Sequence, residues 1–450
     1  MKKPKSARGC GIASRAELPS KPIWCQLCAL LLSLTFPLAT IRAESQSWIS
    51  GRVFWDDFSA NWLSAEDETV WSNGSEAIFN SGTGIVLVGS TGIAASSLLF
   101  RDSVTIADGR LTLTGNATID AADGVIASIA AGLTGSAGIS VGSQSGTGTI
   151  ILAGNNDYTG TTVVEAGAWL GAQSNSALGS AEDETRVEAG ATLSLGDVTI
   201  VGESLTISGQ GSAGSDGALH VNGGITMATF SGNVLLAENA TIGSSGRLTL
   251  GSEIDTVDHV LSVNATRSGL ITLNGPISGT GGGVTYDGGG TITLGISNTY
   301  QGATTIINGT RVTTASDDVF GSDGSRTSLA FDDSNSSGNS FLNMSETSQA
   351  IASLSGDSTS SIILGPEGGM TTLTIGFDST LNFYGSDNAN FAGVISDYGN
   401  LIKDGPSTQI LSGANTFLGS TTINAGTLEI TNALGLGNTC LLYTSDAADE

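Results

Sequence analysis

From residue 44 to residue 439 the apolar residues come in short bursts with a two-residue rhythm, as in Ile292-Thr293-Leu294 and Leu428-Glu429-Ile430. That period turns alternate side chains to opposite faces of a half-buried strand. Between the bursts stand Asn, which folds its amide back on its own backbone, and Gly, which tolerates positive φ, so these positions read as turns. The residues in between are mostly Thr, Val, Ile and Leu, which suit a pleated surface, and no 3.6-residue period is sustained. The pattern predicts an all-β chain with almost no helix. Strands of about four to six residues, recurring every eight to twelve or so, fit a sandwich, a barrel or a solenoid.

Repetition decides among these. Three segments align, at residues 147–180, 289–322 and 407–438, each anchored on an aromatic residue: Tyr158, Tyr300 and Phe417. Asn stands two residues before it (Asn156, Asn298, Asn415) and Gly two after (Gly160, Gly302, Gly419). A second Gly follows at Gly167, Gly309 and Gly426, after a Thr pair and a β-branched residue, and a Leu-Gly or Phe-Gly closes the unit at Leu178-Gly179, Phe320-Gly321 and Leu434-Gly435. Such a unit cannot bury its apolar face alone but can stack on copies of itself, which predicts a right-handed parallel β-helix, a solenoid of about 18 coils at about 22 residues each.

Composition narrows the function. The 450 residues include 64 Gly, and 16 Lys or Arg stand against 42 Asp or Glu, a formal charge of −26. Nucleic-acid binding needs clustered basic residues that this chain lacks, so no nucleic-acid partner is expected. Seven of the basic residues (Lys2, Lys3, Lys5, Arg8, Arg15, Lys21, Arg42) fall within residues 1–43, ahead of and behind an apolar run from Leu27 to Leu38. A basic start, a short apolar run and Ala43 before Glu44 read as a secretory signal peptide, since about 12 apolar residues broken by Ser33 and Pro37 are too few to span a bilayer. Residues 440–450, CLLYTSDAADE, break the texture and look like a translated sequencing adapter, so they are read as an artefact that replaces the natural C-terminus. Cys10, Cys25 and Cys28 lie in the signal and Cys440 in the suspect tail, which leaves the exported segment without cysteine although its compartment permits disulfides.

The order Asn-x-Tyr-x-Gly, Thr-Thr-Ile, Asn-Ala-Gly-Thr-Leu, fullest at Asn415 to Leu428, resembles the autotransporter-associated β-strand repeat, also called the passenger-associated transport repeat. The three copies cover about 100 residues, and stretches such as VEAGATLSLGDVTI extend the similarity. The resemblance implies a non-enzymatic passenger domain of type V secretion in Gram-negative bacteria, exposed at the cell surface or released outside, with a structural or adhesive role. It also implies a partner, a C-terminal outer-membrane β-barrel translocator, of which no amphipathic strand series is visible here. Surface glycans and host or matrix components are the further partners left open. Two departures stand out. Phe417 replaces Tyr, and Arg311 occupies the place of Trp169 and Leu428, which a one-residue slip turning Val312 inward would reconcile with the cost of burying an unpaired Arg. A β-helical enzyme or binding protein acting on polysaccharide, and an exported matrix protein without a barrel, are the competing readings.

Candidate chemistry is sparse. Trp48, Trp55, Trp62 and Trp71 crowd into residues 44–80, either as a cap over the first coil or as a stacking platform for sugars, and the cap is the reading adopted. Gly138-Ile139-Ser140-Val141-Gly142 matches G-x-S-x-G, yet a nucleophile elbow needs a following helix, and only His220 and His259 could serve as its base. Gly209-Gln210-Gly211-Ser212-Ala213-Gly214 matches G-x-G-x-x-G, again with no helix to receive a phosphate. Two distant histidines and no exported cysteine argue against zinc. The acidic groups at Asp56-Asp57, Glu66-Asp67-Glu68, Glu182-Asp183-Glu184, Asp317-Asp318 and Asp332-Asp333 lack calcium-loop spacing and read as solvated loops. No catalytic residue, cofactor or metal site is therefore expected.

Overall fold

The computed structural model describes residues 44–438 apart from 82–83, 90–91, 143–146, 224–225, 267, 322–325, 335–337, 345, 370 and 377–387, together with the backbone of 442–444. The segment 1–43, expected to be a signal peptide, and the rest of the tail at 440–450 lie outside the described residues. Among the described residues every regular element is a β-strand. Nearly all pairings are parallel, and past the opening hairpin the strands pair with those one turn earlier and one turn later.

The strands fall into three stacked faces. One face runs through Ile139–Val141, Thr162–Val164, Glu184–Val187 and Ser204–Gly209. A second runs through Val104–Ala107, Ile126–Ile129, Thr149–Leu152, Trp169–Ala172, Thr192–Leu195 and Leu219–Val221. The third is a nine-strand ladder from Thr199–Val201 to Val394–Ser396. The chain visits the second, third and first faces in turn, and in-register partners such as Thr149, Trp169 and Thr192 mark one turn every 20 to 23 residues. This is a parallel β-solenoid of about 15 turns, fewer than the 18 expected. The shortfall arises where the chain leaves the coil, as in the excursion between Ser204–Gly209 and Leu219–Val221.

The period-two pattern has its expected consequence. On the second face Ile106, Ile129, Leu152, Ala172, Leu195 and Val221 stack directly above one another, all buried. Each fully buried Ile, Leu or Val in such a column contributes about 1.5–3 kcal/mol; of the outward neighbours Thr105, Ser128 and Ile151 stay partly solvated, whereas Gly171, Ser194 and His220 are covered.

At the start of the solenoid the pattern changes. Ser45–Trp48 pairs antiparallel with Trp62–Ser64, which pairs antiparallel with Asp67–Thr69, while Ser45–Trp48 also pairs parallel with Ser75–Phe79 of the following turn. Trp48, Trp55, Trp62 and Trp71 are all buried, with neighbouring ring centroids 4.5–5.0 Å apart, and Trp48, Trp55 and Trp62 pack on Phe79. Rings enclosed this way offer no face to a sugar, which removes the stacking-platform alternative.

Candidate functional site

The aromatic corners of the three repeats share one geometry. Each corner follows a strand (Thr149–Leu152, Thr291–Leu294 or Thr408–Leu411) and carries no regular ladder of its own. The Asn side chain supplies the missing rungs. Asn156 Oδ1 accepts the Leu133 N–H at 2.8 Å from the turn before, and its Nδ2 donates to the Ala177 carbonyl at 2.6 Å in the turn after. Asn298 bonds Ile277 N–H at 2.7 Å and Val319 O at 2.6 Å, and Asn415 bonds Ile395 N–H at 2.8 Å and Gly435 O at 2.7 Å. One amide thus joins three successive turns in each repeat. The Asn amide carries both an acceptor and a donor on one short planar group at every pH, and the three are buried, at 4, 2 and 0 % exposure. The backbone ladder resumes at the next residue, where Asp157, Thr299 and Thr416 donate to the carbonyls of Leu133, Ile277 and Ile395.

The aromatic rings of Tyr158, Tyr300 and Phe417 fill the corner from inside and are fully buried. Tyr158 Oη shares a hydrogen with Thr162 Oγ1 at 2.6 Å, and Tyr300 Oη with Thr304 Oγ1 at 2.5 Å. Burial raises both phenols above their ordinary range. Phe417 has no hydroxyl to offer, and its counterpart Thr421 Oγ1 is buried without a partner among the described residues.

The first glycine of each repeat is required by close approach. A Cβ at Gly160 would lie 2.1 Å from Gly138 N, at Gly302 1.7 Å from Gly282 O, and at Gly419 2.1 Å from Gly399 O. In all three the backbone beneath is itself a glycine. The second glycines, Gly167, Gly309 and Gly426, have φ of +86°, +74° and +71°, the left-handed region that other residues rarely adopt.

Two details of the sequence alignment change. In the third repeat Leu436-Gly437, not Leu434-Gly435, matches the closing pair: Gly437 packs against Phe417 as Gly179 does against Tyr158. Arg311 pairs with Thr291 as Trp169 pairs with Thr149, so the first two copies share one register, and the one-residue slip that turns Val312 inward separates them from the third, where Thr427 pairs with Thr408. Arg311 and Trp169 both point outward. Val312 is buried like Leu170, and the Arg311 guanidinium sits 4.5 Å over the Phe341 ring of the next turn. The third repeat is one residue shorter after its second glycine, which makes Leu428 the counterpart of Val312.

The other motifs resolve into architecture. Gly138 of the G-x-S-x-G string is the glycine under Gly160, and Ser140 Oγ donates to Glu165 Oε1 at 2.8 Å on the first face. His220 lies on the second face against Trp169 and Asn222. The G-x-G-x-x-G string is a left-handed loop at Gly209, Gly211 and Gly214 that leads into the strand Leu219–Val221. Asp56 caps a turn by accepting the Phe58 and Ser59 N–H groups, and Asp317 accepts Ser348 N–H. Among the described residues no three His, Cys, Asp or Glu side chains are grouped to hold a metal ion.

Two buried ionisable groups had no signal in the sequence. Glu203 is buried beneath the first repeat, accepts from Thr185 Oγ1 at 2.7 Å, and is pushed up to about 7 by burial, with Asp183 adding to the rise. Lys403 stands in an inward row between Ile375 and Ile423, its Nζ donating to the carbonyls of Asp404 and Gly405, and burial lowers its pKa. A Glu or Lys beside a turn reads as surface in one dimension, and only stacking of distant turns buries it.

Comparison with known proteins places these corners in a family. The model of the passenger-associated-transport-repeat matches residues 143–168, 284–310 and 401–430, which contain the three Asn-aromatic-Gly corners. The chain is 31 % identical over 400 residues to the adhesin BmaC autotransporter of Brucella suis biovar 1 (strain 1330), a match covering 75 % of this chain and 11 % of that protein. No solved structure matches.

Proposed function

We propose that this chain is an autotransporter passenger with passenger-associated transport repeats, working as a non-enzymatic, surface-exposed adhesive passenger. The observation that carries the reading is the three-turn amide clamp, repeated at each segment the family model matches, in a solenoid similar to an autotransporter adhesin. The signal at residues 1–43 directs the chain to the envelope, and a C-terminal outer-membrane β-barrel, encoded beyond this segment, carries it across. The Trp-rich hairpin at 44–80 caps the first turn, and the coil is right-handed, as parallel crossovers nearly always are. Turns that form outside the cell bury apolar columns and disfavour return. The clamps contribute by fixing each corner to both of its neighbours as they emerge. Glycans or host and matrix components are the adhesive targets.

The test is surface display. Residues 44–438 joined to a signal peptide and a heterologous outer-membrane barrel should become protease-accessible on intact cells and confer attachment to glycan-coated or matrix-coated wells. Replacing Asn156, Asn298 and Asn415 together with Ala should lower the displayed fraction. Display without attachment to any coating would overturn the adhesive role, and undiminished display of the triple variant would overturn the role of the clamps.

A further inference from the structure

Beside the third repeat the outer surface of the third face opens into a cavity of about 400 Å³ whose lining includes Tyr398, Ile363, Pro366, Asn343, Glu346 and Asp397. We propose that this cavity binds a neutral saccharide of about two rings. The proposal rests on the adhesive reading above and assigns it a site.

The chemistry is of two kinds, arranged as a sugar requires. A pyranose has an apolar face of C–H groups and a rim of hydroxyls. It is held by a flat apolar or aromatic surface flanked by planar donors and acceptors. Tyr398 and Ile363, both half-buried, and the exposed Pro366 supply the apolar surface. The Glu346 and Asp397 carboxylates accept from hydroxyls, and the Asn343 amide can do both. Glu346 and Asp397 both have left-handed backbone, with φ of +73° and +68°. Non-glycine residues hold that conformation only where the surroundings enforce it.

The scaffold is rigid where the site needs it. Asn343, Ile363 and Asp397 come from, or directly follow, three consecutive strands of one ladder: Phe341–Asn343, Ser361–Ile363 and Val394–Ser396. At about 4.8 Å per strand these three turns span roughly 10 Å, about two sugar rings. The third repeat holds the last of them in place. Asn415 accepts the Ile395 N–H, the Asp397 carbonyl accepts the Leu418 N–H at 2.8 Å, and Tyr398 N–H reaches back to Gly365 O at 3.1 Å. The clamp of the repeat therefore positions the wall of the cavity.

Charge selects among sugars. Two carboxylates at the rim, on a chain of formal charge −26, repel sulfated, sialylated and uronate glycans. The ligand class is therefore hexose or N-acetylhexosamine oligosaccharide without acidic groups.

The experiment measures binding of the purified chain, by calorimetry and saturation-transfer NMR, to di- and trisaccharides of galactose, glucose, mannose and N-acetylglucosamine, with a heparin oligosaccharide as the acidic control. At least one neutral sugar should bind and heparin should not. Tyr398→Ala should weaken binding at least tenfold. Tyr398→Phe should preserve it, because the ring face remains, and thereby guards against a folding artefact. Asp397→Asn, which tolerates the same backbone conformation, should weaken it severalfold. Failure of every neutral sugar, binding of heparin at comparable strength, or binding indifferent to both Tyr398→Ala and Asp397→Asn would overturn the site. Calcium binding lost in Asp397→Asn without any sugar binding would also overturn it, as a cation site. Cells that display the chain and attach equally with Tyr398→Ala would remove this site yet leave the adhesive reading standing. Sugar binding in solution without attachment of displaying cells would do the reverse.

Discussion

Asn298 offers the cleanest measurement of what a corner contributes, because it lies in the middle repeat with described turns on both sides. Asn298→Ala removes an acceptor from Ile277 N–H and a donor from Val319 O, both inside the coil. Water does not replace them readily, since the side chain is 2 % exposed. A buried polar group left without a partner costs about 1–3 kcal/mol, so the two orphaned groups should cost about 2–6 kcal/mol. The loss is local: the neighbouring rung from Thr299 N–H to Ile277 O remains. A solenoid need not unfold as one unit, so the suitable assay is native-state hydrogen exchange resolved by mass spectrometry, with denaturant melting as a check. Protection should fall by about 30- to 20,000-fold in the turns around residues 270–285 and 311–332, and little near residue 140. Asn298→Asp separates the two bonds, because a carboxylate still accepts from Ile277 but faces the Val319 carbonyl with no hydrogen to give. It should be at least as damaging as Ala. A loss under about 1 kcal/mol in Asn298→Ala, or one spread evenly along the chain, would refute the idea that the amide acts as a rung between three turns.

Further outcomes follow from the same geometry. Gly302→Ala should abolish stable stacking of its turn, seen as proteolytic nicking, because its Cβ would lie 1.7 Å from Gly282 O. Gly74→Ala, with φ of +88° but nothing within 4 Å, should cost only about 1 kcal/mol in the melt. Phe417→Tyr should raise the denaturation midpoint of the C-terminal turns, worth about 1 kcal/mol, by giving Thr421 Oγ1 the partner that Thr162 and Thr304 have; an unchanged or lower midpoint would show that the ring cannot reach. Glu203, raised from 4.5 to about 7, holds its proton more tightly folded than unfolded. Its contribution is fully present below about pH 4.5 and is lost as pH rises through about 7, an upper bound of about 3 kcal/mol, less after screening. Glu203→Gln should flatten that part of the stability profile, and an unaltered slope would dismiss the assignment.

Much of the fold was legible because the solenoid repeats local rules. Alternation at Ile292-Thr293-Leu294 specifies which side chains face inward whatever the strand pairs with, and Asn and Gly mark the corners by their own conformational preferences. The pairing rule, each strand on the strand one turn away, follows once the repeats are aligned. Less was legible where two distant turns meet. That Gly160 must be glycine depends on Gly138 lying beneath it, 22 residues earlier, and the sequence offered Gly138 only as part of a hydrolase-like string. The counterpart of Leu178-Gly179 was misplaced by two residues because ALGLG contains two candidate pairs. Only contact with the Phe417 ring distinguishes them. The cavity at Tyr398 is built from residues 343 to 398 on three turns, and no local pattern joins them.

The placement of the three corners bears on how the repeats act. The first and third enter their corners from the second face, at Thr149–Leu152 and Thr408–Leu411, the latter continuous with that face through Ala389–Phe391 and its bridge to Gly356. The middle repeat enters from the third face, at Thr291–Leu294, so it is rotated by one face relative to the others. A partner that read the repeats along one edge of the solenoid would find the middle copy on a different edge. It would also find the Asn and aromatic side chains inaccessible, since all six are at most 4 % exposed. The feature that survives the rotation is internal: amide to the turn before, amide to the turn after, ring inside, glycine against glycine. Any common effect of the repeats therefore runs through the stacking of the coil itself, and whatever recognises this chain from outside must read other residues.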